Sequence, residues 1–245
     1  MRWLGDVHGS REVDYVIDNA IMENLAIGFI GDLTDQSPKD TTGNANDSAH
    51  VLRRVIGLIR SGHATMVPGN HCAKLFRYFT KFREGKGEES EIKVSHGLDQ
   101  TIEEIMTSED RDFLITGLLE IIGNAPLWHR CNRYVFVHAG ATGGMFYEAP
   151  PLFKDAIKKK SGLFHRALYG QTNNEKSADG FPIRLYDWVN RLQMGEVAVI
   201  GHDIRKQITH VEGDQGGKLI HIDTGAGKGG HLSYLNLSID ELSAP

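Results

Sequence analysis

Gly5-Asp6-Val7-His8-Gly9 follows at once on a short apolar lead, Trp3-Leu4. A carboxylate and an imidazole two residues apart, hemmed in by glycines at a strand end, can both point at one metal ion while other groups approach closely. The theme recurs down the chain in Gly31-Asp32-Leu33-Thr34-Asp35, Gly69-Asn70-His71, His138-Ala139-Gly140 and Gly201-His202-Asp203. Each stretch sets metal-competent side chains beside glycine, most of them after an apolar run. Together they describe a two-metal site supplied in instalments.

The segments around these stretches predict the fold. Residues 2–5 read as a buried strand, and Ser10 is the expected cap of a helix carrying Val13, Val16, Ile17, Ala20 and Ile21 at helical spacing. Leu25 to Ile30 runs into Gly31-Asp32, and a polar loop from Gln36 to Asp47 leads to a helix with Val51, Leu52, Val55, Ile56 and Ile59. Ala64 to Val67 runs into Gly69-Asn70-His71 and a third helix with Leu75, Phe76 and Phe79. Successive strand, loop and helix units argue for an α/β fold, here a sandwich of two mixed β-sheets flanked by helices. FREGKGEESE, Phe82 to Glu91, reads as a solvated loop, and about 98–122 as a helical cover with a cap at Ser108. Tyr134 to Val137 delivers His138, about 150–190 is a mixed insertion, and strands return at Val197 to Ile200, Ile208 to Val211, Leu219 to Ile222 and Leu232 to Leu237. Residues 1–245 are therefore expected to form a single domain.

With 40% hydrophobic residues the chain can bury a real core. A net charge of -5 argues against a protein that coats nucleic acid by bulk electrostatics, yet leaves a nucleotide substrate open. Cys72 and Cys131 form no CxxC or disulfide-rich pattern, as suits a reducing compartment. There is no apolar run of membrane-spanning length and no signal-peptide core, so the expected location is cytoplasmic, without membrane attachment or an obligatory protein partner.

Asp6 and His8 can hold one metal, Asn70, His138 and His202 a second, and Asp32 can bridge the two. Oxygen and nitrogen donors without a thiolate favour Mn2+, with Fe, Zn2+ or Ni2+ as alternatives, over a closed structural zinc site. Two cations about 3.5–4 Å apart can activate a water, orient a phosphoryl group and stabilise charge in an in-line displacement. That predicts phosphoester hydrolysis. His71 is placed to protonate the leaving oxygen, with Asp35 holding its imidazole or, more simply, capping a turn. Any one of these residues alone could be a satisfied core polar group; the ordered set carries the reading. His50, His63, His129, His165, His210 and His231 read as ordinary residues, and Cys72 as buried filler. His96 and His221 stay open between a role in the site and simple capping or strand packing.

The set GDVHG, GDLTD, PGNH, HAG and GHD resembles the calcineurin-like metallophosphoesterases, in the branch of phosphoprotein phosphatases and bis(5'-nucleosyl)-tetraphosphatases. PGNH followed by Ala73-Lys74-Leu75, together with Val94-Ser95-His96-Gly97-Leu98, Tyr169-Gly170, Gly180-Phe181-Pro182-Ile183-Arg184 and Ile222-Asp223-Thr224-Gly225, is similar to the phosphatase domain of bacterial polynucleotide kinase-phosphatase. That resemblance implies a metal-dependent phosphatase and 2',3'-cyclic phosphodiesterase acting on nucleotides or nucleic-acid ends. The wider family implies dinucleoside polyphosphates or phosphoproteins as alternatives, and a metal-binding sensor of a phosphorylated ligand is the non-enzymatic one. Where the family has Asp-Arg-Gly, with the Arg on substrate phosphate, this chain has Asp35-Gln36-Ser37, a neutral amide in place of a cation. Arg184 is the preferred replacement, with Arg166 and Lys228 behind it. No Gly-x-x-x-x-Gly-Lys-Ser/Thr loop accompanies the set, so no kinase function is expected.

Overall fold

The computed structural model describes residues 1–37, 47–86, 95–177, 180, 182–238 and 241. Three short strands, the buried β1 (Arg2–Leu4) and β2 (Ile27–Phe29) and the half-buried β3 (Ala64–Met66), each lead to a helix: α1 (Glu12–Met22), α2 (Ser48–Arg60) and α3 (Asn70–Arg83). The cover consists of two helices, α4 (Leu98–Thr107) and α5 (Arg111–Asn124), interrupted at Ser108. β4 (His129–Cys131) and β5 (Tyr134–Phe136) follow, then α6 (Phe153–Lys159), α7 (Gly162–Tyr169) and a hairpin of β6 (Gln171–Lys176) with β7 (Pro182–Leu185). β8 (Val197–Ile200), β9 (Thr209–Glu212), β10 (Lys218–His221) and β11 (Tyr234–Asn236) complete the chain.

The strands form two mixed sheets, ordered β11-β1-β2-β3 and β4-β5-β8-β10-β9, with β6-β7 as a separate pair. β1, β2 and β3 run parallel, as do β5, β8 and β10, and the antiparallel strands lie at sheet edges. Trp3, Ile30 and Val67 from one sheet meet Phe136, Val199 and Ile222 from the other in a buried layer. Trp3 stacks on Phe136 at 3.8 Å, a contact worth about 0.5–1.5 kcal/mol beyond the area it buries. The other strand faces and the helices bury a second apolar cluster that includes Leu4, Phe29, Val55 and Leu118. The sandwich follows from this two-sided burial: strands covered on both faces read as continuous apolar runs.

Local chemistry sets the element ends. Asp47 accepts from the His50 amide at 2.7 Å and caps α2. α1 begins at Glu12, beyond the expected cap, although Ser10 Oγ still accepts from the Glu12 amide at 3.3 Å. The short strand β4 has no counterpart in the sequence reading, and its half-exposed His129-Arg130-Cys131 offers no apolar run to announce it. The central part of the Gln36–Asp47 loop, the end of FREGKGEESE, Val94 and Phe181 lie outside the described residues. Among the described residues no helix is long and apolar enough to cross a membrane.

Candidate metal centre

The parallel strands of both sheets deliver their C-terminal ends to one place, where open α/β sheets gather functional groups. Asp6 and His8 follow β1, Asp32 follows β2, Asn70 opens α3 after β3, His138 follows β5 and His202 follows β8. All six predicted ligands are brought together, buried except for half-buried His202. Asp6, His8 and Asp32 form one group with their ligand atoms within 4.8 Å of one another, and Asp32, His138 and His202 form another. Asp32 is common to both.

The backbone holds this geometry at the expense of strain. His8, Asp32, Asp35 and His202 adopt positive φ of 46°, 40°, 72° and 67°, a region non-glycine residues rarely occupy, at about 1–3 kcal/mol each. Two glycines make room for the carboxylates: a Cβ at Gly69 would lie 2.1 Å from Asp32 Oδ1, and one at Gly201 2.0 Å from Asp6 Oδ1. The His71 amide donates to Asp32 Oδ1 at 2.8 Å, and the His202 amide to Asp6 Oδ1 at 3.1 Å.

The side chains suit divalent cations. His8 Nδ1 donates to Thr34 O at 2.9 Å and His138 Nδ1 to Ile30 O at 2.8 Å, arrangements that turn each Nε2 toward the site. Among the described residues His8 Nε2 and His202 Nε2 are buried without a hydrogen-bond partner. The Asn70 side-chain oxygen lies 2.8 Å from His202 Nδ1, 3.1 Å from His138 Nε2 and 3.3 Å from Asp32 Oδ2. Hydrogen bonding within the protein alone would favour the amide nitrogen there, whereas a cation calls for the oxygen.

Burial lifts the Asp6 carboxyl to about 6, against the opposing charge of His138, and drives the His8 imidazole down to about 3. Burial also works against the charge of His138, but Asp32 and Asp6 outweigh it and hold the ring up at about 9. Asp32 is the converse: burial raises it, and His138 and His71 bring it well below the usual carboxylate range. These opposed shifts mark a pocket of buried carboxylates whose charge needs a positive partner.

His71 Nδ1 lies 2.8 Å from Asp35 Oδ2, the pairing expected for an orienting carboxylate. Asp35 is itself fixed, accepting from Thr34 Oγ1 at 3.2 Å, while its amide donates to Thr101 Oγ1 at 3.1 Å. Thr101, fully buried on α4, gives the helical cover a positioning role absent from the sequence reading. Cys72 is buried, and burial followed by the charge of Asp32 pushes its thiol up to about 12, which makes it a poor nucleophile.

Of the three named substrate contacts, Arg166 and Arg184 both bond the stretch Tyr169 to Gln171, and Gln36 lies beside Asp35. Gln36 is half-buried beside Asp35, with its carbonyl packed against Gly97. Arg184, on β7, donates to Tyr169 O at 2.7 Å, and its charge bears on His202. Arg166 is turned to Gln171 Oε1 at 2.5 Å, and the charges acting on it are those of Asp187 and Arg191. Its side chain also packs at Gly140, two residues beyond His138. His96 sits in the turn before α4, bonded to Ser95 Oγ at 2.8 Å, and His221 is buried on β10 against the Tyr186 ring.

Asp223 was not read as a site residue. It is fully buried, its Oδ1 accepts from the Gly225 amide at 2.9 Å, and its Oδ2 has no partner among the described residues. Burial and then the charge of Asp6 push its carboxyl up to about 7. The available signal was an apolar strand running into Ile222-Asp223-Thr224-Gly225, the same pattern that precedes Asp6 and Asp32.

No protein-family model matches the chain. A relative from Halalkalibacterium halodurans, bis(5'-nucleosyl)-tetraphosphatase PrpE [asymmetrical], is 31% identical over 263 residues, covering 99% of this chain and 92% of the relative. Proteins of the same name from Bacillus velezensis and Anoxybacillus flavithermus are 32% and 28% identical, over 86% and 99% of this chain and 74% and 92% of their own lengths. A crystal structure of a candidate diadenosine tetraphosphatase superposes with a TM-score of 0.53 at 20% identity, over 95% of this chain and 86% of the other, a likeness of fold. Near-complete alignment to relatives above 30% identity places the strand-end Asp, Asn and His set in context: the chain belongs to the bis(5'-nucleosyl)-tetraphosphatase PrpE family of metallophosphoesterases.

Proposed function

We propose that the chain is a divalent-metal-dependent hydrolase that cleaves bis(5'-nucleosyl) tetraphosphates asymmetrically. One observation carries the chemistry: two ligand groups share Asp32 beside an imidazole already paired with a carboxylate. The activity in the relatives' names supports this substrate, and supports a hydrolase over a sensor. Asp6, His8 and Asp32 would hold one cation, and Asp32, Asn70, His138 and His202 the other, so that Asp32 bridges. When bound, the pair supplies Lewis acidity for the attacking water and charge neutralisation for the phosphoryl oxygens.

The chain's own residues do the rest. Thr34 O and Ile30 O fix the ring orientations of His8 and His138. Asp35 holds His71 by Nδ1, leaving Nε2 to donate a proton to the departing oxygen. Water supplies the new P–O bond as one bridging P–O bond breaks, and the leaving phosphate takes the proton, giving a nucleoside monophosphate and a nucleoside triphosphate.

A second reading, hydrolysis of 2',3'-cyclic or 3'-end phosphates, is favoured by the two motif stretches that meet where Arg184 bonds Tyr169 O. Side-by-side kcat/KM values for diadenosine tetraphosphate, a 2',3'-cyclic nucleotide, a 3'-phosphorylated oligonucleotide and a phosphopeptide, with Mn2+, separate the readings. The expected outcome is AMP and ATP from the first substrate at the highest kcat/KM. Formation of ADP alone, or a tenfold preference for the cyclic nucleotide, overturns it.

A further inference from the structure

A phosphorylated substrate brings negative charge to a site lined by buried carboxylates, and a protein cation beside the metals would add a charge-assisted hydrogen bond to the neutralisation the metals supply. Gln36 is neutral, Arg166 is bonded to Gln171, and Arg184 is bonded to Tyr169 O with its charge bearing on His202. The Gly-rich turn after Asp223 reaches the Asp6–His8 end. Gly227, at φ 66°, packs so closely that a Cβ there would lie 2.3 Å from His8 O. The Ser37 amide donates to Gly227 O at 2.9 Å, which ties the turn to the chain directly after Gln36. Lys228 comes next, its amide bonded to Gly225 O at 2.9 Å.

We propose that Lys228 grips the substrate phosphoryl group at the Asp6–His8 end, supplying from the neighbouring loop the positive charge that Gln36 lacks. The inference rests on the phosphoesterase reading above. Lys228 is half-buried and forms no ion pair among the described residues, so its ammonium is uncommitted. Its charge bears on Asp6, His8, His202 and Asp223. A compact ammonium on a flexible stem suits a point contact with phosphate oxygen and needs none of the fork geometry of an arginine.

The test is calorimetry of inorganic phosphate binding to the Mn2+-loaded full chain, with metal content measured on the same samples. Lys228→Met and Lys228→Gln should each weaken phosphate about tenfold at unchanged metal content, the size of a lost charge-assisted hydrogen bond. Lys228→Arg should recover the loss, and so in part should Gln36→Arg added to Lys228→Met, a transfer of charge across the Ser37–Gly227 contact. Diadenosine tetraphosphate should show the same loss in KM, with kcat changed less. Wild-type phosphate affinity in both neutral variants, or a parallel loss of metal, overturns the proposal. Wild-type protein that binds phosphate through Lys228 but hydrolyses no dinucleoside tetraphosphate would remove the substrate assignment and leave this contact standing.

Discussion

The two halves of the metal centre are held in different ways. The Asp6–His8 half is stitched by backbone: the Val7 and His8 amides both donate to Asp32 O, at 3.0 and 2.9 Å, and the Gly9 amide to Leu33 O at 2.9 Å. Its imidazole is fully buried, and its ligands come from adjacent strands of one sheet. The Asn70–His138–His202 half draws on both sheets, and half-buried His202 lies at the side where the β6–β7 hairpin brings Arg184. One half is made by neighbouring loops of a single sheet; the other exists only when the sandwich closes. Ligand placement in the second half therefore depends on the packing of Trp3 against Phe136 as much as on local sequence.

The halves press together at Gly69 and Gly201, and substitution there should have the largest effect. Gly69→Ala and Gly201→Ala each force a methyl into a carboxylate at about 2 Å, so a ligand must move by roughly 1 Å, a displacement that costs on the order of a hundredfold in kcat/KM. Each should also lower stability by about 1–3 kcal/mol, readable in urea melts. If either variant keeps wild-type turnover, the seam is looser than the contacts imply. A smaller effect is expected behind the His71–Asp35 pair. Thr101→Val removes the hydroxyl that accepts from the Asp35 amide and donates to Ser48 Oγ at 3.1 Å, leaving a buried amide unpaired. It should lower kcat several-fold while metal content stays the same, since no candidate ligand is touched. Loss of metal instead would mean that Thr101 supports the whole centre.

The first half was legible because strand, glycine and carboxylate follow one another within a few residues, so that local pattern and final position coincide. The second half was legible only as residue types, because the distance between His138 and His202 depends on how β5 and β8 pair. Positive φ at His8, Asp32, Asp35 and His202 could not be read from sequence, since none is a glycine and tertiary contacts impose the strain. Asp223 was passed over although its strand ends like those before Asp6 and Asp32 and a histidine, His221, lies two residues away as in Asp6-Val7-His8. The helix bearing Thr101 read as a cover because hydrophobic periodicity reports which face is buried and says nothing of one buried hydroxyl. Lys228 was ranked behind Arg184, and the closeness of its loop to His8 is a product of the fold that sequence spacing does not show.

Counting metal tests the bridging role of Asp32 most directly. Wild-type chain equilibrated with Mn2+ and desalted should retain about two equivalents by inductively coupled plasma mass spectrometry. His202→Ala should retain about one, since the backbone-stitched half survives, and Asp32→Asn should retain less than one, since both halves lose the same carboxylate. Two equivalents retained by folded Asp32→Asn, or a single equivalent in the wild type, would contradict a centre built around that residue.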